Sequence, residues 1–377
     1  MRREAPSQIH SHPGPSLEGV KQRDPGLEAL RALAALLVLF AHGGYFLYAA
    51  LPHYDTFALA AWLGTDAFFA LSGFLVARHL LSEPPRHVGE AARYALWRAW
   101  RILPLFWLAL LLHLALAHLG GRPVPDSLLS YVTLTQNLAA PQSAFFGEAW
   151  SLPLLMLMSI AAPGMAMSVR QLGGGARAFA ALFALLLLVG IALRLAWIQA
   201  FDPTWDEGVR KVLATRLDAC AYGALAACLI WARHPLMASR GRNLVFAALA
   251  LGVAGTGFLL LPRDSSDLAR AGLFVASGLG AALACAGVAG VERKSSPLLR
   301  WLAQISFALY LVNMPVLFAL ELAGLGQSAD ALQGAGRFVL WLAATLMVAA
   351  ALHHFVERPL LAWRNRVLSA ATSATNR

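Results

Sequence analysis

The sequence predicts an all-α protein: a polytopic transmembrane helix bundle of about ten spans, with both termini cytoplasmic. Three observations predict it. The 377-residue chain is 59% hydrophobic and only 13% charged, with a mean hydropathy of +0.61, too apolar for a water-soluble protein. Its apolar residues gather into runs long enough to cross a bilayer, over 27–50, 56–81, 102–120, 151–169, 178–200, 212–232, 243–261, 270–290, 299–320 and 336–356. With the N-terminus cytoplasmic, roughly twenty of the 30 Lys and Arg fall on the inner side and about six on the outer side, which is the positive-inside asymmetry expected of an even span count.

The same composition excludes other classes. A net charge of +10 is compatible with nucleic-acid binding, but the basic residues are scattered between apolar spans and form no basic domain, so no nucleic-acid partner is expected. Cys220, Cys228 and Cys285 lie in apolar stretches without a C-x-x-C pair or a nearby ligand set, so neither a disulfide framework nor a metal site is indicated. The chain divides into a cytoplasmic polar tail over 1–26, a transmembrane body over 27–359 and a cytoplasmic tail over 360–377. The first span is too long for a signal-peptide core and lacks a cleavage site, so it is retained. The second half shows no repeat of the first, which weighs against an inverted-repeat transporter.

The first span is the one the rest serves. Its apolar run carries Glu28, Arg31 and His42. At about 100° per residue, Arg31 and His42 come within about 20° of alignment and Glu28 within about 40°, so the three form one polar stripe. His42 lies about 16 Å beyond Arg31, near mid-membrane, where an ionisable group marks either a functional site or a satisfied interhelical hydrogen bond.

In the second span, Gly64 to Leu75 holds Asp66, Ser72 and Gly73. Ser72 and Gly73 suit close helix packing, whereas Asp66 is at a depth similar to that of His42. Asp66 either orients and charge-stabilises that imidazole or is satisfied by another helix. Before the third span, Arg98 and Arg101 are spaced R-x-x-R beside Trp97 and Trp100. Three residues apart on a helix they can grip one phosphate group, and the competing reading is an aromatic-basic interfacial anchor. The fourth span opens Trp150-Ser151-Leu152-Pro153, with Ser151 at an N-cap position and Glu148 just outside. Arg194, Arg216 and Asp218 either line a polar vestibule in the outer half or pair with one another. Spans seven and eight carry small-residue patterns that suggest packing. The ninth holds Asn313 and Pro315 well inside the membrane, and the tenth ends in His353, His354, Glu357, Arg358 and Pro359, an interfacial stop.

Taken in order, Leu27 to His42, Gly64 to Leu75, Arg98 to Pro104, Trp150 to Pro153, Arg216 to Gly223, Ser306 to Pro315 and Glu357 to Pro359 resemble the acyltransferase 3 family of integral-membrane O-acyltransferases over nearly the whole chain. The resemblance implies transfer of an acyl group, commonly acetyl, from cytoplasmic acyl-CoA to a hydroxyl of a glycan, a lipid-linked saccharide or another envelope acceptor. It implies a bacterial inner membrane, acetyl-CoA or another acyl-CoA as co-substrate and no permanently bound cofactor. The motif histidine is His42, with Asp66 its expected orienter. Arg98 and Arg101 hold the phosphates, and Arg31, the third expected cofactor-binding residue, either stabilises the polar entrance or pairs with Glu28. Ser72, Trp150, Ser151, Arg216, Asp218 and Asn313 are acceptor-side or structural polar positions. Two positions depart from similar members: the Glu of W-S-L-x-x-E is Leu155, and the His before the ninth-span proline motif is Asn313. The competing functions are a catalytically silent member that binds a glycan lipid or a partner, and a transporter.

Overall fold

The computed structural model describes residues 24–51, 54–291 and 296–375. The expected tail over 1–26 lies outside the described residues up to position 23, as do 52–53, 292–295 and 376–377. The described residues are helical and hold no strand. The order is α1 (Pro25–Leu47), α2 (Tyr54–Ser82), α3 (Val88–Leu119), the short α4 (Leu128–Val132), a 3-10 turn (Ala144–Ser151), α5 (Leu152–Gln171) and α6 (Ala176–Phe201). After an irregular stretch come α7 (Ala219–Trp231), α8 (Arg240–Leu260), a π turn (Leu268–Gly272) running into α9 (Leu273–Val288), and α10 (Pro297–Leu322). Then α11 (Ala331–Leu352) passes through a second π turn (His353–Glu357) into α12 (Arg358–Thr375).

Local chemistry sets the helix starts. Asp24 caps α1 by accepting from Leu27 N at 3.3 Å, with Pro25 in the first turn. Ser239 caps α8, Ser296 caps α10 ahead of Pro297, and Asp330 caps α11. Each side chain satisfies an amide that has no partner inside its helix.

Among the described residues nine helices are long and apolar enough to cross a membrane. Broad apolar surfaces, such as Leu244, Val245, Leu249 and Val253 on α8, remain exposed on the outside of the bundle, as lipid requires. The expected sixth span, 212–232, is not one continuous helix. Its first part is a 3-10 turn (Ala214–Arg216), and α7 is a regular helix of only 13 residues, about 20 Å long against a hydrocarbon core of about 30 Å. The physical reason is that Arg216 and Asp218 are committed to buried ion pairs with neighbouring helices, and those pairs shape the backbone into a turn.

α7 nevertheless lies in the core, side by side with α2. A Cβ on Gly73 would strike the Cys220 carbonyl, and one on Gly223 would strike the Ala70 carbonyl, so both glycines are needed for this backbone approach. α1 runs antiparallel to α2, tied to it where Asp24 accepts from Arg78 Nη1 at 2.9 Å. α10 runs parallel to α1, matching Asn313 to His42 and Glu321 to Tyr45. His79 of α2 stacks on Tyr94 and Trp97 of α3, and Arg364 of α12 donates to the Trp97 carbonyl at 3.2 Å. The described chain therefore starts and finishes at one end of the bundle, called the inner end below. Residues 358–375, read from sequence as a stop and a tail, continue as α12.

Candidate active site

α1, α2 and α10 enclose a narrow crevice lined by Ala35, Val38, Leu39, Phe68, Ser306, Tyr310 and Asn313. It is too tight for a water molecule. His42 sits one turn above Leu39 and Val38 and keeps part of its surface accessible. Its Nδ1 lies 2.5 Å from Asn313 Oδ1. The amide orientation of Asn313 follows from its other bonds, because Nδ2 donates to the carbonyls of Tyr310 at 2.7 Å and Leu309 at 3.1 Å. Oδ1 can only accept, so His42 Nδ1 carries the hydrogen and Nε2 keeps its lone pair. Nε2 has no hydrogen-bond partner among the described residues. Asn313, a departure from the family pattern, is thus the group that sets the tautomer of His42.

Asp66 does not take that part. Both its oxygens are occupied in a buried cluster: Oδ1 accepts from Arg216 Nη2 at 2.5 Å, and Oδ2 from Trp62 Nε1 at 2.9 Å and from the Ser277 hydroxyl. These partners lie on α2 itself, on the 3-10 turn before α7 and on α9, and Gly64 meets α1 at Ala34 and Val38, so Asp66 lies about 9 Å below the level of His42. The expectation that Asp66 orients His42 is therefore corrected, and its satisfaction by other helices is what the structure contains. Asp218 likewise pairs with Arg194, whose Nε also donates to Thr215 O at 2.8 Å, and it accepts from Tyr222 at 3.3 Å. Among the described residues Arg194, Arg216 and Asp218 are held in buried ion pairs. A charge buried at that depth is tolerable only when paired in this way.

At the inner end three guanidiniums converge. Arg31 of α1 lies within electrostatic reach of Arg98 and Arg101 of α3, and of the carboxylates Glu28 and Glu357. Arg364 of α12 bears on Arg101 from the other side, with its guanidinium 4.5 Å over the ring of Trp97. The π turn after α11 brings Glu357 inward, buried and 2.7 Å from His353 Nδ1. Arg98 Nε donates to Ser159 at 3.3 Å, whereas Arg31 and Arg101 donate no hydrogen bond among the described residues. Half-buried guanidiniums that repel one another have the planar, charged donors that suit an anion.

Above the crevice, the 3-10 turn brings down Glu148, Trp150 and Ser151. Ser151 stands at the N-cap of α5, but its hydroxyl bonds Tyr310 at 2.8 Å instead of a backbone amide. Tyr310 in turn donates to the Glu148 carbonyl at 2.6 Å. Trp150 is buried edge-on to Phe69 beneath the Arg210 guanidinium, 5.0 Å from its ring. Asn137 ties the outer loops together by donating to the carbonyls of Trp150 at 2.8 Å and Lys211 at 2.7 Å. Burial opposes ionisation of Asp206 in this cap, but Arg210 at 2.5 Å and Lys211 at 2.9 Å hold its carboxyl below the usual carboxylate range. Leu155 packs among apolar residues of both core clusters, so the place of the family Glu is greasy. Ser72 is half-buried on α2 and makes no hydrogen bond among the described residues.

Tyr310, Glu148 and Glu357 lie within or beside the sequence motifs with no role predicted here, and His113, Ser277 and Arg364 lie outside them. His113 alone carried a usable signal, as an ionisable residue in the middle of an apolar span.

A family model described as an acyltransferase domain matches residues 24–354. No curated protein and no solved structure shows significant similarity. From its match over nearly the whole described bundle, the chain belongs to the acyltransferase 3 family of integral-membrane acyltransferases.

Proposed function

We propose that the protein moves an acyl group, acetyl in the first instance, from acyl-CoA at the cytoplasmic face of a bacterial inner membrane to a hydroxyl of a glycan or another envelope acceptor. The observation that carries this reading is the tautomer of His42: Asn313 holds Nδ1–H and leaves Nε2 as an unengaged base at the top of a crevice. The inner end is taken as cytoplasmic because the Lys and Arg excess lies there. Arg31, Arg98 and Arg101 hold donor phosphates, and Arg98 and Arg101 offer planar forks on adjacent turns of α3.

The crevice residues Ala35, Val38 and Leu39 lie between Arg31 and His42 on α1, so the thioester arm runs up this line once the side chains part. The acceptor hydroxyl attacks the thioester carbonyl as His42 Nε2 takes its proton. The tetrahedral intermediate collapses with cleavage of the carbon–sulfur bond, and the imidazolium returns that proton to the leaving thiolate. The products are an ester and the CoA thiol.

The test supplies isotope-labelled acetyl-CoA to inside-out membranes, followed by mass spectrometry of envelope glycans. Wild type should label them, and His42→Gln, made at normal levels, should lose about 10² or more of the rate. Transfer by His42→Gln at the wild-type rate sinks the catalytic reading. Retention of a glycan lipid without labelling marks a silent binder, and acceptor translocation without acetyl-CoA marks a transporter.

A further inference from the structure

A second histidine–carboxylate contact lies above the crevice. His113 of α3 and Glu148 of the 3-10 turn are both buried, at 2% and 5% exposure. His113 Nδ1 is 2.9 Å from the Ala109 carbonyl, which only accepts, so Nδ1 carries a hydrogen. Its other nitrogen, Nε2, faces Glu148 Oε1 at 3.4 Å, and neither atom has a hydrogen-bond partner among the described residues. A neutral Nε2 and a carboxylate oxygen present lone pairs to each other. Their juxtaposition is favourable only with one proton between them. The ring stacks on Phe146 with centroids 3.9 Å apart and meets Phe145 and Phe318 edge-on, so the pair is sheathed in aromatics. His113 also borders a cavity of about 300 Å³ at the outer end, lined by Arg122, Phe145 and Phe318 among others.

The pair is connected to His42. Tyr310, which bonds the Glu148 carbonyl, sits one turn before Asn313 on α10, and Asn313 bonds His42. The titratable and charged groups that bear on His42 are Glu148, which attracts its cationic form, and Arg210 and Lys211, which oppose it.

We propose that His113 and Glu148 share one proton and serve His42 as a positioning pair, in which Glu148 is the carboxylate that stabilises the imidazolium formed during transfer and His113 competes with His42 for it. This rests on the reading of His42 as the base. The proton balance of transfer is unchanged: the hydroxyl proton passes through His42 to the thiolate, and the pair's own proton moves only between Nε2 and Oε1. Glu148 thereby supplies, from outside α5, a carboxylate that position 155 lacks.

The test is carbethoxylation of His42 by diethyl pyrocarbonate against pH, read by peptide mass mapping of the full chain in lipid nanodiscs. It needs no turnover. Glu148→Gln removes the carboxylate, so the midpoint of the modification curve should fall by about one pH unit, the lower end of what a neighbouring charge does. His113→Phe keeps the ring stack and leaves Glu148 to His42 alone, so the midpoint should rise. Glu148→Asp should restore a wild-type midpoint in part. Movement of the two variants in the same direction, or no movement, overturns the pair, and His113→Phe decides alone if Glu148→Gln is not produced. Labelling of glycans from acetyl-CoA is followed in parallel. Opposite midpoint shifts without transfer would sink the acyltransfer reading and leave the pair standing, and transfer without opposite shifts would do the reverse.

Discussion

Replacing Asp66 by Asn probes the buried cluster beside the site. Asp66 and Arg216 are each 2% exposed, and the carboxylate takes Arg216, Trp62 and Ser277 together. The amide keeps the shape and one acceptor but removes the charge, leaving the guanidinium buried without a counter-ion. Breaking a buried pair from one side costs about 3–5 kcal/mol. The low end, about 3 kcal/mol, applies here, because Asn still accepts one bond and the Arg216 guanidinium keeps its contact with Phe274 at 4.1 Å. At about 1.4 kcal/mol per factor of ten, that lowers the folded-to-unfolded ratio by about a hundredfold, a large share of a total stability of about 5–15 kcal/mol. The assay is thermal unfolding in nanodiscs for Asp66→Asn and for the double variant Asp66→Leu with Arg216→Met, alongside transfer per folded molecule. The single variant should unfold well below wild type. The double should recover most of the loss, since no charge is left unpaired. Transfer per folded molecule should stay within about tenfold of wild type, well short of the 10² or more that losing a catalytic base costs. An Asp66→Asn protein that unfolds with wild type, or a double variant no better than the single, would refute the ion-pair account. A much larger catalytic loss in folded protein would return Asp66 to the service of His42.

Other outcomes follow from the same geometry. Asn313→Leu removes the acceptor that fixes Nδ1–H of His42, so kcat should fall by about tenfold or more with KM for acetyl-CoA nearly unchanged; a rise in KM alone would contradict the tautomer argument. Gly73→Ala drives a methyl into the Cys220 carbonyl and should lower stability by about 1–3 kcal/mol or more, measured by thermal unfolding, whereas Gly336→Ala, into open space, should stay within about 0.5 kcal/mol. Arg101→Lys keeps charge but loses the planar fork, so the Kd for acetyl-CoA should rise while insertion is unaffected; an unchanged Kd in both this variant and Arg98→Lys would remove the phosphate grip. For Asp206, Arg210 and Lys211 lower the folded-state pKa, so its contribution is present above the unfolded value of about 3.9 and is lost as pH falls through the folded value. The unfolding-temperature gap between wild type and Asp206→Asn should therefore be full at neutral pH and shrink only below about pH 4, and a gap that closes near pH 6 would contradict this sign.

The helical class and most of the spans were legible in the sequence because a bilayer leaves the backbone few solutions: an apolar run that spans it must satisfy its own amides as a helix. Polar residues inside such runs were legible for the same reason, since each stands out against hydrocarbon. His42, Asp66, His113 and Asn313 stand out in this way, whereas the R-x-x-R pair, just before the third run, is legible by its spacing. What the runs cannot encode is which polar residue faces which. His42 and Asp66 read from the sequence as sharing a depth, yet α1 and α2 meet with Gly64 against Ala34 and Val38 and Gly44 against Phe57, which sets Asp66 about 9 Å below His42. Packing pairs one with Asn313, 271 positions away, and the other with Arg216 and Ser277. The break at 212–218 was hidden too, because the charges there look like a helix start until their partners Arg194 and Asp66 are in place. Depth is a one-dimensional property that the sequence records to within about two helical turns. Facing is a property of three helices at once, and only tertiary packing decides it.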